Sequence, residues 1–537
     1  MSGSTRSVSS NPIPAEGKTF FGHPRGLFVL FFAEMWERFS FYGMRAILIF
    51  YLIQHWMFSE ERAYAIYAAY GSLVYIAPVL GGYLADRYIG QRRAVQYGAI
   101  LLTIGHGLMA FEGSGGQDSP LLNVFWLALA FIIMGVGFLK SSISVMVGQL
   151  YDHGDARRDP AFTIFYMGIN LGAAAGSMLA AYLGQTHGWA WGFGAAGIGM
   201  LLGLVVFIWG RPALLGRGEA PDPAALAARV FGIRTEHWIY LWGLVGVVVV
   251  WFLIQYQHVV GWMLAACALI VVGYFLYESV WKMDRVARHR MLAALFLIAL
   301  QPLFWALFEQ AGSSLNVYTD RSVDRSMFGW EVPAGMFQSI NSIYIITLAP
   351  FFAALWLWLA RRNLEPSTPA KFGLGLIQLG LGFFVLVWGA NSSDGLTPVI
   401  FIFLIYLLHT MGELCLSPVG LSAMSKLAPS RLVGLVMGSW FLATAGGNFL
   451  AGRIAAATGG EGLDGADAAN QVMDVYSSVG WLAVLVGVGV IVVSPFIARL
   501  MHQDEEQLRQ DRALAGQREV GEPAATGIDS RGEVRKL

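Results

Sequence analysis

The chain contains about fourteen long apolar segments, each near or above the roughly 20 residues that an α-helix needs to cross a bilayer. A bilayer offers the backbone no hydrogen-bond partners, so segments of this length are expected to cross it as helices. Hydrophobic residues make up 56% of the 537 positions and charged residues 13%, which is too apolar for a soluble protein of this length. The sequence therefore predicts an all-α, polytopic membrane protein. The segments lie near residues 26–55, 62–85, 93–111, 121–148, 161–184, 190–210, 237–256, 260–280, 291–313, 332–360, 372–390, 396–425, 432–456 and 475–500.

Lysine and arginine are distributed unevenly between the two sides of the predicted membrane. Of 35 such residues, Arg62, Arg321 and Arg325 fall in loops or at a span end on one side, four lie well inside spans, and the remainder fall in the termini and in the loops or span ends on the other side. Cytoplasmic loops of membrane proteins carry this excess of positive charge. We therefore predict an even number of spans with both termini in the cytoplasm.

Charged residues inside the predicted spans are the strongest sign of function. A charge at the bilayer centre costs at least about 2.5–3.5 kcal/mol, so each needs a partner or water. A single buried Glu could simply bond a neighbouring helix in its neutral form. Acids and bases in both halves of the chain instead favour one shared cavity near the midplane, where transport sites are typically built. The basic residues are Arg38, Arg45, Lys140 and Arg453, and the acidic residues are Glu34, Glu37, Glu309 and Glu413.

Three local expectations follow from the residues around these charges. We expect Pro418 to bend or break the helix that carries Glu413, because proline removes one backbone donor. Residues 314–331 are expected to form a solvated loop, and Arg453 to make a helix–helix hydrogen bond. Gly168, Gly172 and Gly176 form a small-xxx-small row of the kind that lets two membrane helices approach closely.

Several motifs resemble those of one transporter family. GGYLADRYIGQRR at 81–93 resembles the cytoplasmic loop motif of the major facilitator superfamily. EMWERFSFYG at 34–43 is similar to the ExxERFxYYG signature of the proton-dependent oligopeptide transporters, a branch of that superfamily, with Phe41 in place of the usual Tyr. FYMGINLGA at 165–173 is similar to the family's FYxxINxGS, with Ala173 in place of Ser. GVGFLKSSIS around Lys140 resembles the family's fourth span, although Ser141 and Ser142 stand where Pro-Asn is common.

The resemblance implies a domain organisation. A major facilitator fold would place six-helix bundles at 26–210 and 291–500. Bacterial family members carry two extra transmembrane helices between the halves, and the segment 211–290 would hold them. We expect residues 1–25 to form a disordered cytoplasmic leader and 501–537 a cytoplasmic tail.

The resemblance also implies a function, the proton-coupled import of di- and tripeptides across the bacterial inner membrane by alternating access. It assigns Arg45 and Lys140 to the peptide carboxylate, and Glu413 with Asn170 and Asn341 to its amino terminus. The remaining substrate-binding residues implied are Tyr42, Tyr75, Glu309 and Trp440. Charge-assisted hydrogen bonds in a low-dielectric pocket suit such recognition of the two charged termini.

Proton coupling requires a carboxyl group that is neutral in one state and ionised in another. An acid that changes partners between states changes its proton affinity. Glu34 and Glu37 beside Arg38, with Lys140 facing them, satisfy this requirement, as does Glu309 facing Arg45. Protonation would then release the salt bridges that hold one gate. Apart from the coupling proton, no cofactor is expected.

Other classes of function fit the sequence less well. The chain has no HExxH spacing and no glycine-rich phosphate loop, so we do not expect an enzyme. The Gly- and Asp-rich stretch 457–473 is read as a flexible connection and not as a metal site. We expect a monomer in contact with lipid, peptide and protons, with no nucleic-acid partner. The alternative is a major facilitator transporter of another small solute, such as nitrate, an amino acid derivative, a drug or a sugar, because Phe41, Ser141 and Ser142 depart from the family pattern.

Overall fold

The structure, a computed structural model, describes residues 19–152, 155–429, 431–459 and 465–502, and the backbone of two short strands at 526–528 and 534–536. The predicted leader up to residue 18 and most of the predicted tail lie outside these ranges. The helices are α1 (Arg25–Phe50), α2 (Glu60–Leu84), α3 (Gln91–Met109), α4 (Leu121–Gln149), α5 (Arg158–His187), α6 (Trp189–Gly210), α7 (Pro223–Ala227), α8 (Thr235–Gln255), α9 (Gln257–Trp281), α10 (Arg285–Phe308), α11 (Ser314–Ser322), α12 (Ser339–Arg361), α13 (Thr368–Asn391), α14 (Ile400–Leu427), α15 (Val433–Thr458) and α16 (Ala466–Leu500).

Each predicted span corresponds to a long helix. Within the described ranges, twelve helical stretches are long and apolar enough to cross a membrane. The other two long helices, α1 and α3, are not among these twelve but belong to the same bundle. Helix α1 packs on α5 and α6, and α3 packs on α4 and α6. The predicted all-α membrane fold is confirmed.

Among the described residues, two large hydrophobic cores and a smaller third one organise the helices. The first is built mainly from α1 to α6, with added side chains from α8 and α9. The second is built from α10 to α16, with Phe275 of α9. Helix α8 packs on α4, whereas α9 packs on α10 and α15, so this helix pair contacts both halves. The pair is otherwise largely exposed, as expected for helices that face lipid.

The predicted glycine row brings α5 against α1. A Cβ atom at Gly172 would lie 2.1 Å from the carbonyl oxygen of Met35, and one at Gly176 would lie 2.1 Å from that of Phe39. Gly168 faces the ring of Phe31. Only glycine allows this backbone approach, which fixes the helix that carries the charged signature of residues 34–45.

The prediction of a solvated loop over 314–331 is wrong at its start. After α10 the chain makes a 3₁₀ turn at Glu309–Gly312 and then enters α11, whose first six residues are buried. The polar side chains there are bonded inside the protein. Asn316 donates to the carbonyl oxygen of Ala46 over 3.1 Å, and the hydroxyl groups of Ser314 and Tyr476 lie 2.7 Å apart. The polar composition of this segment suggested a loop, but the start of the segment is a buried helix.

Pro418 does not break its helix. Helix α14 runs through this proline without interruption, and α2, α10, α12 and α16 likewise contain one internal proline each. Membrane helices tolerate proline because neighbouring groups satisfy the backbone carbonyl that it leaves unbonded.

Short strand pairs close several of the connections. Strands β1 and β2, β3 and β4, β6 and β7, and β9 and β10 pair antiparallel, whereas β5 and β8 pair parallel between two loops of the second half. The strands are β1 (Thr19–Phe20), β2 (His23–Pro24), β3 (Arg229–Val230), β4 (Ile233–Arg234), β5 (Val323–Asp324), β6 (Ser326–Met327), β7 (Trp330–Glu331), β8 (Thr397–Pro398), β9 (Thr526–Ile528) and β10 (Val534–Lys536).

The two halves meet at the end of the bundle opposite the start of α1. The contact begins near the middle of the bundle, where Ser72 of α2 donates to the carbonyl oxygen of Ala445 in α15 over 2.9 Å. The backbone amide of Gly335 donates to Gln185 of α5, also over 2.9 Å. Towards the other end, a Cβ atom at Gly438 of α15 would meet nothing within 4 Å. These contacts between the halves therefore lie away from the end where α1 begins.

Candidate functional site

Arg45 of α1 joins the two halves. Its guanidinium group forms an ion pair with Glu309, which begins the 3₁₀ turn after α10, and its Nε atom donates to the hydroxyl of Tyr67 over 2.6 Å. Glu309 is buried and Arg45 is only 13% exposed. The expected approach of Glu309 to Arg45 is therefore present. A buried pair of this kind is costly to break on one side only, because the remaining charge loses its partner.

The other charges of α1 form a second, separate group. Arg38 Nε lies 3.0 Å from Glu34 Oε1 and 2.5 Å from Glu37 Oε2, and all three side chains are buried. Their atoms are close enough for ion pairing but are poorly aligned for hydrogen bonds, so several of these buried oxygen and nitrogen atoms lack a hydrogen-bond partner. If all three groups are ionised, the group carries one net negative charge.

Lys140 of α4 supplies a nearby positive charge without joining this group directly. Its ammonium nitrogen lies 4.2 Å from the centre of the Tyr75 ring, in a cation–π contact. Among the residues that the structure describes, no carboxylate lies within 4.0 Å of Lys140. The lysine is therefore held by an aromatic face and keeps its hydrogen-bonding capacity.

The second half supplies a carboxylate to the same region. Asn341 of α12 donates through Nδ2 to Glu413 Oε2 over 2.9 Å and to Thr410 Oγ1 over 3.1 Å. Thr410 and Glu413 lie one turn apart on α14, so both present their side chains to α12. The amide thus holds the carboxylate in one orientation.

The remaining candidate residues are less closely joined to these groups. Asn170 donates to the carbonyl oxygen of Tyr166 in its own helix over 3.1 Å. Tyr42 is half-buried on α1 beside Phe41. Trp440 is buried in the second core with its ring edge towards Phe372. Within the described ranges, no hydrogen bond links Asn170 to Asn341 or Glu413.

Phe41, the departure from the family signature, is a packed core residue. Its ring stacks on that of Tyr70 at a centroid distance of 6.3 Å, and the guanidinium carbon of Arg38 lies 5.6 Å from its centre. The hydroxyl of Tyr70 is itself buried without a hydrogen-bond partner. The phenylalanine thus replaces a polar contact with an aromatic one and a weak cation–π contact.

Two residues that contact the charged groups are missing from the sequence-based set. Tyr67 bonds Arg45, and Thr410 bonds Asn341. Helical spacing could have pointed to both residues. Tyr67 lies about two turns before Tyr75, and Thr410 lies one turn before Glu413. Neither residue is charged, so neither was unusual in an apolar span.

The expected helix–helix hydrogen bond of Arg453 is not present. The side chain is exposed on α15, and it makes no hydrogen bond or ion pair with the described part of the chain. Its position near the end of the helix allows the long side chain to reach the polar boundary of the membrane.

Two cavities lie away from the charged groups. One, of about 430 Å³, lies at the far end between α2 and α16, and is lined by Glu60 and Arg321 among others. The other, of about 340 Å³, is almost wholly apolar and lies between α5 and α12. The first half contributes cations at Arg45 and Lys140, and the second half contributes Glu413. This arrangement suits a solute that carries both an ammonium and a carboxylate group.

Comparison with known proteins gives a consistent result. Residues 92–461 match the model of the POT family. The chain is 40% identical to "Peptide transporter YePEPT" of Yersinia enterocolitica subsp. palearctica, over 83% of this chain and 90% of that protein. It is 30% identical to "Dipeptide and tripeptide permease A" of Yersinia pestis, over 89% and 94%. A crystal structure of a variant of "peptide transporter POT" in complex with alafosfalin superposes with a TM-score of 0.78 at 35% identity, covering 90% of this chain and 97% of that chain.

Proposed function

The chain belongs to the POT family, the proton-dependent oligopeptide transporters of the major facilitator superfamily, and from this premise we propose that it imports di- and tripeptides with protons. One observation carries the proposal. Cations lie on the first half at Arg45 and Lys140, and an acid held by an amide lies on the second half at Glu413 and Asn341. The names of the relatives, which include a dipeptide and tripeptide permease, support the same substrate class.

Each end of the peptide would bind one half of the protein. The peptide carboxylate would bind Arg45 and Lys140, and its ammonium group would bind Glu413 with help from Asn341 and Asn170. The lysine keeps donors available because its present contact is the face of Tyr75. A bound peptide would therefore bridge the two halves and ignore most side-chain differences. Tyr42, Tyr75 and Trp440 are proposed as walls of the pocket.

Proton coupling would act on the ion pairs of α1. The Arg45–Glu309 pair joins the halves near their closed end. Protonation of Glu309 would weaken this pair, allow that end to open, and leave Arg45 to bind the peptide carboxylate. Glu34, Glu37 and Arg38, with Lys140 nearby, would form the second proton-sensitive group, since removing one charge from a buried group changes the balance of the others.

The decisive experiment is uptake into liposomes that contain the purified protein. With an inward pH gradient, the wild type should accumulate labelled dialanine, and the variant Glu37→Gln should not. The same variant should keep exchange of labelled for unlabelled peptide in the absence of a gradient. Accumulation by Glu37→Gln at the wild-type level would refute the proton assignment. Loss of both activities would instead indicate a folding or binding defect.

A second candidate is a transporter of another small solute, which the departures at Phe41, Ser141 and Ser142 favour. The charge arrangement would also accept a non-peptide molecule with an ammonium and a carboxylate group. A thermal-shift screen distinguishes the two, because a ligand that binds only the folded protein stabilises it. Dialanine or trialanine should raise the melting temperature, whereas sugars and nitrate should not.

Orientation, location and assembly are part of the same proposal. The excess of Lys and Arg in the loops at the end where α1 begins supports cytoplasmic termini in the bacterial inner membrane. The charged groups lie within one chain, which supports a monomer as the functional unit.

A further inference from the structure

Three hairpins of this protein share one unusual turn. Strands β1 and β2, β3 and β4, and β6 and β7 are each joined by a two-residue turn of sequence Phe-Gly. Both turn residues have positive φ angles in every case, with 47–54° at the phenylalanine and 77–80° at the glycine. The three phenylalanine side chains are almost fully exposed, at 81%, 92% and 101%. The turns are Phe21-Gly22, Phe231-Gly232 and Phe328-Gly329.

The turn itself does not explain the phenylalanine. Two-residue hairpin turns with two positive φ angles strongly prefer Asn, Asp or Gly at the first position. A bulky residue with positive φ is sterically disfavoured. In each hairpin the protein accepts this strain and also exposes a large apolar ring. Because the same unfavourable turn occurs three times, we expect the three phenylalanine rings to share a favourable contact with something outside the protein.

Each hairpin is held firmly by a side chain outside its turn. Arg157, at the start of α5, donates to the carbonyl oxygen of Gly22 over 3.2 Å. Trp238 of α8 donates to that of Val230 over 2.9 Å. Arg325 donates to that of Val332, just after the third hairpin, over 2.8 Å. Each exposed phenylalanine ring therefore extends from a hairpin that a hydrogen bond fixes to the rest of the protein.

The position of the hairpins identifies the partner. The first hairpin directly precedes α1, the second directly precedes α8, and the third precedes α12 after a short 3₁₀ turn at Ala334–Gln338. Each turn thus lies where the chain is about to enter the bilayer, at the boundary of headgroups and acyl chains where apolar side chains such as Phe and Leu are buried by proteins that bind the membrane surface. Two hairpins lie at the end of the bundle where α1 begins, and the third lies at the opposite end.

We propose that the three Phe-Gly hairpins are membrane anchors that insert Phe21, Phe231 and Phe328 into the lipid interface. They would fix the depth of α1 in the first half, α12 in the second half and α8 between them. With one anchor on the opposite side, both leaflets would hold the protein. The partner is the bilayer itself and not another protein.

Charge at the second hairpin extends the proposal to the lipid headgroup. Arg229 and Arg234 are directly opposite each other in the strand pair and both are exposed. Within the described ranges neither has a carboxylate within 4.0 Å. Like charges opposite each other destabilise a strand pair unless an anion lies between them. The phosphate of an anionic lipid would supply that anion while Phe231 lies among the acyl chains.

The first experiment measures the depth of the Phe231 turn in a bilayer. A nitroxide label is attached at Phe231→Cys in full-length protein that carries Cys267→Ser and Cys415→Ser, reconstituted in vesicles that contain phosphatidylglycerol. Its accessibility to oxygen relative to a water-soluble nickel complex should be several-fold higher than that of a label at Ala224→Cys, an exposed position on α7 at the same end. Equal ratios at the two positions would overturn the proposal.

The second experiment separates the role of the ring from that of the turn. In the variant Phe21→Asn/Phe231→Asn/Phe328→Asn, the new residues suit the turn, so the hairpins should remain intact. The melting temperature in detergent should be unchanged or higher, whereas that in lipid nanodiscs should fall relative to wild type. A fall in detergent alone, or no fall in nanodiscs, would contradict the anchoring role. With the native Arg229 and Arg234, the oxygen-to-nickel ratio at 231 should depend on the phosphatidylglycerol content of the vesicles. In Arg229→Gln/Arg234→Gln this dependence should disappear, and a retained dependence would exclude the headgroup contact.

Discussion

At the residue scale, Arg45 is the candidate-site side chain that connects the two halves. It bonds Tyr67 within its own half and Glu309 in the other half. The tyrosine holds the guanidinium group in place whether or not the carboxylate is bonded. Arg45 is therefore suited to exchange Glu309 for a substrate carboxylate without losing its orientation.

The variant Glu309→Gln tests this exchange. Gln cannot neutralise Arg45, and a buried charge left without its partner costs about 3–5 kcal/mol. We expect proton-driven accumulation of dialanine to fall at least roughly 100-fold, because the closed end is no longer held by a protonatable pair. Peptide exchange without a gradient should remain measurable. Unchanged accumulation would show that this pair has no part in coupling.

Asn341 provides a second prediction at the same scale. The variant Asn341→Leu removes both donors to Glu413 and Thr410, and a hydrogen bond to a charged group contributes about 1.5–3 kcal/mol. We expect the dissociation constant for dialanine to rise roughly 10- to 100-fold, as measured by calorimetry. Binding of N-acetylated dialanine should be weak in both proteins and should not differ between them.

Thr347→Val is the matched control for Asn341→Leu. Thr347 lies on the same helix, is exposed, and bonds only carbonyl groups of α12. This variant should bind dialanine like the wild type. If both variants lost affinity equally, the effect would belong to the helix and not to the contact with Glu413.

At the scale of the elements, the approach of α5 to α1 is set by glycine. In Gly176→Ala the new methyl group would lie 2.1 Å from the carbonyl oxygen of Phe39, and backbone cannot move aside as a flexible side chain can. Overpacking costs typically about 1–3 kcal/mol, and here the helices must separate. We expect a clear fall in melting temperature in detergent. Gly194→Ala, whose Cβ atom meets nothing within 4 Å, should leave it unchanged.

The contact between α2 and α15 controls the closed end of the bundle. In Gly452→Ala the added Cβ atom would lie 2.4 Å from that of Ala68 and 2.9 Å from the carbonyl oxygen of Tyr64. We expect this wedge to shift the population towards a state open at this end. Pulsed EPR between labels at the exposed positions Asp118 and Asp394 would show a longer distance.

Gly446→Ala is the control for this wedge, because it lies on the same helix and its Cβ atom would meet nothing within 4 Å. Its distance distribution should match that of the wild type. A wild-type distribution for Gly452→Ala as well would show that the α2–α15 contact does not limit opening.

At the scale of the whole molecule, two ion pairs join the halves within the part of the chain that the structure describes, and the two pairs differ in burial. Glu60 of α2 pairs with Arg321 of α11, but their side chains are 26% and 49% exposed. Exposed pairs contribute typically about 0–1 kcal/mol and are screened by salt. We expect Glu60→Gln to change peptide uptake less than about fivefold, with the difference disappearing in high salt. An effect as large as that of Glu309→Gln would contradict this ranking.

Much of the architecture could be predicted from the sequence. The spans, their order and the residues with unusual charge follow from local composition, because the cost of placing polar groups in a bilayer acts on each segment separately. The glycine row also predicted a close helix contact, since small residues at i, i+4 and i+8 form one face. The error occurred where polar side chains were satisfied inside the protein, as in α11, and a helix also continued through Pro418 without a break.

Which charges pair with which was decided only by the tertiary structure. Glu34 and Glu37 are bonded to Arg38 within one helix, whereas Arg45 reaches across 264 residues of sequence to Glu309. Tyr67 and Thr410 became part of the site through the same packing. Sequence periodicity assigns a residue to a face of its helix, but the neighbour of that face depends on how all the helices pack. The chemistry of this protein was therefore visible in its sequence, and the grouping of that chemistry into two halves required the fold.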